Sequence, residues 1–483
     1  MPENYTSTGV FKRFLLGALI IIIGSASATA VAGWHEVDKV VSAFKQTKQI
    51  KGIQDVITEA DAGKPQTILL MGSDKRSKNS SDVRRGLIGK PLSDTMILMR
   101  LDPSKRATAL LSLPRDLKVE IPGYGTDKLN AAYSLGGARL TIRTIRGLDP
   151  RLKINHVINV DFHGFSKAVN ALGCIFVDVD RRYYNQSDSY SKINIQAGYQ
   201  RLCGQDALAY VRYRHEDNDL VRATRQQDFL RQVKAQVGAF GVINKRDKLL
   251  HIFSRYTSSD LNSRSGILRL LRLAVFSASR PVQEVHFHAK LGGSYVYARP
   301  GVIRKVVTQF LGVQASKGPK GVLRAKNKRD RRKQRRQDIG LEFAPAPFKD
   351  QALQAVNDKV GVFPVYFPTK RVRGSLTIGP PAVYDIETRN GKRYPAYRIV
   401  IKKGFVGEYY GLQGTTFKDA PLLDQPHTSR TIRGRKYQLY PDGSRLRLVA
   451  WKDGKSVYWI SNTLLLSLSN SQMLSIAAST KHL

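Results

Sequence analysis

Three stretches decide the fold: Thr67–Asp74 (TILLMGSD), Ser93–Asp102 (SDTMILMRLD) and Ala107–Asp116 (ATALLSLPRD). Each holds four to six strand-like apolar residues and closes on polar ones, the pattern of buried strands. Working outward, residues 130–146 read as a helix, HVINVDF (156–162) as a strand, GFSKAVNAL (164–172) as a helix and IFVDVD (175–180) as a strand. Phe229, Val233 and Val237 recur every four residues with Leu230 beside them, which predicts a helix over 222–237. Alternating strands and helices predict an α/β domain in which helices pack on a central sheet.

Upstream, residues 14–33 (FLLGALIIIIGSASATAVAG) run for 20 positions without a charge, enough to span about 30 Å of hydrocarbon. Lys12 and Arg13 precede this run, and positive charge stays cytoplasmic. The expectation is a short inside tail (1–13), a single anchor (14–33) and an exported remainder. The rival is a cleaved signal peptide ending near Ala30-Val31-Ala32. Residues 34–65 read as a short helical stalk, and 66–313 as the α/β domain.

Downstream, Lys317 to Arg336 contains eleven Lys or Arg and one Asp. Such a run reads as a solvated linker, placed at 314–345. Residues 346–483 then form a second, small α+β or β-rich domain. Its turn signals are Asn390-Gly391, Pro441-Asp442-Gly443 and Asp453-Gly454, the last between RLRLVAW and SVYWIS. The tail QMLSIAAS reads as helical. No constellation in this domain points to chemistry. Basic strands such as TKRVRGSLTI point to polymer or partner binding, so deletion of residues 340–483 is expected to weaken that binding and leave the work of the first domain in place.

The chain has 483 residues, 79 of them Lys or Arg against 38 Asp or Glu, a formal charge of +41. Its partners should be polyanions: nucleic acid, anionic lipid, pyrophosphates or acidic wall polymers. Export opposes the nucleic-acid reading. The two cysteines, Cys174 and Cys203, exclude a cysteine-built zinc site; they are either two buried thiols or one disulfide, and an oxidising exterior favours the bridge.

Strand ends carry an unusual polar set: Asp74 and Arg76, Asp94 with Thr95, then Arg115 and Asp116. Lys128, Arg212, Arg214, Asp219, Arg222, Arg225 and Gln226 follow. Carboxylates suit Mg²⁺, and guanidinium groups clamp phosphate oxygens, so the set fits a pyrophosphate–Mg²⁺ complex. Arg212 and Arg214 share a face if the chain is extended there, but not if it is helical. Arg222 and Gln226 share a helix face. Pro114 should end its strand and expose Arg115. Taken singly, such fragments are more often caps or solvated faces. GxSxG is absent, so no nucleophile elbow is present. His286 and His288 share a strand face, which is more often surface than a metal pair, and His215 beside Arg214 could tune a site with pH.

Together, MGSDKR, SDTMILMRLD, LLSLPRDLKVEIPGYGTDKLNAAYSLGG, VINVDFHGFSKAVNALG and GQDALAYVRYRHEDNDLVRATRQQDFL resemble the LytR-CpsA-Psr family of membrane-anchored cell-wall glycopolymer transferases. The resemblance covers residues 67–237, less clearly on to 313. It implies a mixed central sheet covered by helices, an α-β-α sandwich that binds a polyprenyl pyrophosphate. It implies transfer of a glycan phosphate from that lipid to a hydroxyl of a wall sugar, in peptidoglycan or a related polymer. Carried over by residue, Asp74 and Asp94 would hold Mg²⁺ (or Mn²⁺), and either could serve as the base. Arg115, Arg212, Arg214, Arg222 and Gln226 would bind the pyrophosphate, with Lys128 at the rim and Arg76 and Asp116 less securely placed. Asp219 would orient the arginines, and Cys174 with Cys203 would bridge a strand to the site-bearing segment. Leu140, Ile145, Val169 and Leu172 are candidates to line the lipid tunnel, against ordinary core. The implied partners are the lipid-linked glycan, the wall-polymer acceptor and the membrane, and no nucleic acid. The alternative is a non-enzymatic scaffold that holds a lipid or wall polymer, which has little use for paired carboxylates.

Overall fold

The computed structural model describes residues 32–73, 93–105, 107–186, 192–213, 219–236, 245–278, 282–285, 287, 289–292, 294–312, 340–356, 363–404, 408–424 and 426–483. The segment 14–33 expected as an anchor lies almost wholly outside these residues, as does the basic run 317–336. Among the described residues, no helix is long and apolar enough to cross a membrane.

The first domain runs α1 (Ala32–Gln46), β1 (Lys48–Gln49), β2 (Gln66–Ser73), β3 (Ser93–Asp102), β4 (Ala107–Ser112), β5 (Lys118–Ile121), β6 (Gly125–Lys128), α2 (Leu129–Leu148), β7 (His156–Asp161) and α3 (Phe162–Leu172). It continues through β8 (Ile175–Val179), β9 (Tyr183–Asn185), β10 (Ile193–Ile195), β11 (Gly198–Leu202), α4 (Gly204–Arg212), α5 (Asp219–Gln236), α6 (Arg246–Tyr256), β12 (Thr257–Ser259) and α7 (Arg264–Ala278). The last elements are β13 (Val282–Val285), β14 (Lys290–Gly292), β15 (Tyr295–Tyr297) and α8 (Pro300–Leu311).

Seven strands form one mixed sheet in the order β1-β12-β7-β2-β3-β4-β13. The pair β2–β7 is parallel, while β2–β3 and β3–β4 are antiparallel. The alternation read in the sequence is physical. Ile68 and Leu70 of β2, with Ile97 and Met99 of β3, enter one core beside α1, α3, α6 and α7. Leu69 and Met71, with Met96 and Leu98, enter the opposite core beside α2 and α8. The expected sandwich is therefore present.

Three expectations change. Residues 34–65 are not a stalk: Val40, Val41 and Phe44 of α1 are buried in one core, and Ile53 and Val56 in the other. Apolar residues at helical spacing need a surface to cover, and the sheet supplies it. The helix over 130–146 forms as α2 but kinks at Gly136–Gly137, where Gly137 takes φ 60°, ψ −153°, a conformation reserved for glycine. Leu140 and Ile145 sit in one core while Val169 and Leu172 sit in the other, so those four cannot line one tunnel.

The second domain begins before 346, with β16 (Leu341–Phe343) paired to a later strand. Then come α9 (Ala346–Ala355), β17 (Tyr366–Phe367), β18 (Lys370–Val372), β19 (Leu376–Thr377), β20 (Ala382–Glu387), β21 (Arg393–Lys402) and β22 (Tyr409–Thr415). β23 (Thr428–Ile432), β24 (Arg435–Asp442), β25 (Arg445–Asp453), β26 (Ser456–Ser461), α10 (Asn470–Ala478) and β27 (Lys481–His482) complete it. An antiparallel eight-stranded sheet follows the order β19-β21-β22-β26-β25-β24-β23, with β20 on β21. All three turn signals close hairpins, with Gly391, Gly443 and Gly454 at positive φ.

A sheet this apolar must be covered on both faces. Phe348 of α9 and Met473 and Leu474 of α10 cover one. Phe176 of β8 and Tyr199 of β11 cover the other, packing with Phe417, Leu448 and Trp459. Arg398, fully buried on β21, reaches Asp178 of β8 at 3.3 Å and donates to Ser461 Oγ at 2.6 Å. Arg231 of α5 joins Asp228, Glu284 of β13 (3.7 Å) and Asp442 of β24 (2.6 Å). The second domain is thus bound through its own core to the elements that carry the candidate site.

Candidate active site

The parallel register pairs Ser73 with Asp161, and the antiparallel register pairs Gly72 with Thr95 and Ile97 with Ser112. The end of β2, the end of β7, the start of β3 and the end of β4 therefore meet at one edge of the sheet. The fit at Gly72 is close: a Cβ would stand 3.2 Å from Thr95 Cβ and 3.4 Å from the Phe162 ring.

Arg115 emerges just past β4, as Pro114 predicts, with its side chain 15% exposed. Its loop is tied to α2: Asn130 N–H donates to Arg115 O at 3.0 Å and Leu129 N–H to Leu117 O at 2.9 Å. Asp116 is buried, 3.2 Å from Lys128 Nζ and 3.8 Å from Arg115 Nε. One carboxylate thus orients two cations on adjacent elements, which gives Asp116 a clearer place than the sequence did.

Arg212 is the last residue of helix α4, and its guanidinium lies 4.3 Å from the centre of the Phe162 ring. The extended-chain argument for Arg212 therefore fails; the chain becomes extended only at Tyr213. Arg222 and Gln226 fall one turn apart on α5 and are both buried. Gln226 Nε2 donates to Thr95 Oγ1 (3.0 Å) and to Val211 O (3.1 Å), joining α5 to the start of β3 and the end of α4. Arg115, Lys128, Arg212, Arg222 and Gln226 are thus brought to one sheet end. Asp94 lies on β3 at the same end and Asp219 opens α5, but their side chains lie outside the described residues. Asp74, Arg76, Arg214, His215, His286 and His288 also lie outside them.

Sequence reading counted Arg225 among the cations but gave it no role. It is fully buried, and its Nη1 donates to Tyr213 O at 2.8 Å and Tyr210 O at 3.3 Å, while Nε donates to Tyr183 OH at 3.2 Å. It fixes the exit of α4, and so the base from which Arg212 projects. Tyr183 OH donates to Asp180 at 2.6 Å. Burial pushes the Tyr183 and Tyr210 hydroxyls well up, so both remain protonated. The signal for this role was the tyrosine-rich AYVRY ahead of the helix, legible only once α4 and α5 are known to pack together.

The sulfurs of Cys174 and Cys203 are bonded, tying the strand after α3 to the residue that begins α4. Cys174 itself has φ 62°, the left-handed region that favours glycine. The adjoining contact is close: Gly204 N–H donates to Asn170 Oδ1 at 2.7 Å, and a Cβ at Gly204 would meet Ser166 O at 2.3 Å.

Among the described residues, no group of three His, Cys, Asp or Glu side chains could hold a metal. The register places Ser93, the residue before Asp94, opposite Ser73, the residue before Asp74.

A model of the LytR_cpsA_psr family matches residues 29–301. A Bacillus subtilis protein named polyisoprenyl-teichoic acid–peptidoglycan teichoic acid transferase TagT is 30% identical over 259 residues, 52% of this chain and 77% of its own length. A Bacillus cereus TagU of the same description is 29% identical over 255 residues, covering 51% and 78%. The crystal structure of B. subtilis TagV aligns with a TM-score of 0.41 at 27% identity, over 53% of this chain and all of that one.

Proposed function

Because the chain belongs to the LytR-CpsA-Psr family, we propose that it is a glycopolymer transferase of the bacterial wall. In this reading it moves a glycan phosphate from a polyprenyl-pyrophosphate donor to a hydroxyl of peptidoglycan or a related polymer. The observation that carries the reading is the meeting of Arg115, Lys128, Arg212, Arg222 and Gln226 at one sheet end. The names of the relatives TagT and TagU support the substrate class.

The chemistry follows from charge. Attack by the acceptor hydroxyl on the phosphate next to the sugar breaks its bond to the bridging oxygen, and polyprenyl phosphate leaves. Phosphoryl transfer needs positioning and charge neutralisation more than covalent help. Arg115, Arg212 and Arg222 supply fixed positive charge, and Asp116 holds Arg115 and Lys128 side by side by offsetting their mutual repulsion. Gln226 presents a neutral donor already fixed by two elements. Asp74 and Asp94 offer the hard oxygens Mg²⁺ takes, on chain positions that follow paired residues. When bound, Mg²⁺ would neutralise phosphate charge. One of the two carboxylates takes the hydroxyl proton. In this reading the run 14–33 is a single-pass anchor in the cell membrane with the bulk of the chain outside, which its 20 uncharged positions behind Lys12 and Arg13 support.

Mass spectrometry of lipid that co-purifies with detergent-solubilised full-length protein tests this, beside Arg115→Ala. A polyprenyl phosphate or pyrophosphate in wild type alone is expected. No such lipid, with the variant identical, would overturn the donor class in favour of a carrier for another polyanion. Wild-type-like transfer by Asp94→Ala would remove its metal role.

A further inference from the structure

The hairpin β14–β15 lies against β5 beside the site. Leu117 bridges Val296, and Val296 N–H donates to Asp116 O at 2.8 Å. Its two tyrosines therefore stand next to the cations that Asp116 orients. Lys128 Nζ is 5.8 Å from the Tyr295 ring centre, and Lys118 Nζ is 5.7 Å from Tyr295 and 5.6 Å from Tyr297. The two rings meet edge to face at 6.1 Å, and Tyr297 is 43% exposed. Tyr297 and Lys118 also line a cavity of ≈ 720 Å³. That cavity runs past Pro114 and is walled mainly by apolar side chains, among them Leu220, Phe287, Val302 and Leu465 of the second domain, with Thr224 and Gln227 of α5 among its polar groups.

We propose that Tyr297 and Lys118, which line this cavity, together with the adjacent Tyr295, form the subsite that grips a sugar ring of the acceptor polymer. The proposal rests on the transferase reading above and adds to it residues that neither the family match nor the relatives' names assign.

The chemistry selects the occupant. A donor is already held by its pyrophosphate. An acceptor brings only hydroxyls to the reacting phosphate, so the arginines give it no grip and it needs neutral contacts of its own. A pyranose presents an apolar C–H face and a rim of hydroxyls. Aromatic rings serve the face, and Thr224 and Gln227 line the space with groups that can serve the rim. Lys118 adds charge complementarity to the carboxylates of an acidic wall polymer, and its long stem swings off the ring when a sugar arrives. The apolar interior of the cavity would suit an isoprenoid chain, but the tyrosine rings and the two lysines beside it offer such a chain nothing, which sets the sugar subsite at the rim. Since Leu465 closes one wall, the second domain contributes to acceptor choice.

The test uses full-length detergent-solubilised protein and two probes: an N-acetylglucosamine tetrasaccharide, followed by saturation-transfer NMR, and octaprenyl pyrophosphate. Wild type should bind both. Tyr297→Ala should weaken the tetrasaccharide roughly five- to tenfold with an unchanged melting temperature, and Tyr297→Trp should restore it. Octaprenyl pyrophosphate should bind Tyr297→Ala as it binds wild type. Unchanged tetrasaccharide affinity in Tyr297→Ala would overturn the subsite. So would loss of octaprenyl pyrophosphate in that variant, which would make this a lipid surface and leave the transferase reading standing. Tetrasaccharide binding through Tyr297, with no octaprenyl pyrophosphate binding in wild type, would uphold the subsite and sink the transferase reading.

Discussion

The molecule uses buried arginines in two regions, to opposite ends. At the sheet end, one carboxylate, Asp116, lies beside two cations, Arg115 and Lys128. At the domain interface Arg231 is met by Asp228, Glu284 and Asp442, Arg398 meets Asp178, and Arg447 lies among the same groups, so that four of the described carboxylates face three arginines. Burial is similar, but the balance tips the other way. Desolvated charge is tolerable only when compensated. The interface is compensated within the chain, and in the proposed reading the donor pyrophosphate adds its charge at the sheet end. The local balance of charge, more than arginine content, distinguishes the two regions, since both are rich in arginine.

The sharpest way to break that contrast is to remove the second domain. Deletion of residues 340–483 would expose Phe176, Tyr199 and Asp178 to water. The expected result is loss of soluble, folded protein, or a melting temperature lower by on the order of 10 °C or more. This reverses the expectation drawn from its basic strands. A deletion protein that melts like wild type and turns over a short donor would restore that expectation.

Arg115→Ala is next. It should cost roughly 10²–10³ in turnover with the melting curve unchanged, because it removes a charge aimed at the reacting centre. A large stability loss would place Arg115 with the interface arginines instead. Arg231→Ala should do the converse. Left without their cation, its three carboxylates should destabilise the fold by about 3 kcal/mol, since Arg231 keeps only 19% of its side chain exposed. Donor affinity per folded molecule should be unchanged, and denaturant titration with lipid binding separates the two quantities. An effect of comparable size is expected of Cys174→Ala, at roughly 2–4 kcal/mol of stability, read as a lower denaturation midpoint that matches wild type under reductant. A midpoint unaffected by either treatment would show that the Gly204–Asn170 contact suffices alone.

Most of the first domain was legible because strands buried on both faces beneath helices leave continuous apolar runs, as in TILLMGSD and SDTMILMRLD. The hairpins at Gly391, Gly443 and Gly454 were legible because turns of positive φ demand glycine. Arg115, Arg222 and Gln226 were legible from a proline and a four-residue spacing. What stayed hidden depends on long-range packing. Nothing in residues 34–65 announces that Val40 and Val56 enter different cores. The kink at Gly136–Gly137 hid within a good helical period. Arg398 and Arg231 look like surface cations until β8 and β24 are seen to face them. The regular hairpins of the second domain carry no hint that its far face is completed by another domain.

Helix α5 is common to both arginine regions. Arg222 and Arg231 stand nine positions apart, so about 13 Å of stiff rod joins the sheet end to the interface. Its far end is pinned on two sides, by a strand of each domain. A rod held this way cannot roll. Were it free to turn by about 10°, a long side chain at its tip would sweep about 1 Å, the scale at which reacting groups lose alignment. The second domain thus acts as a torsional brake.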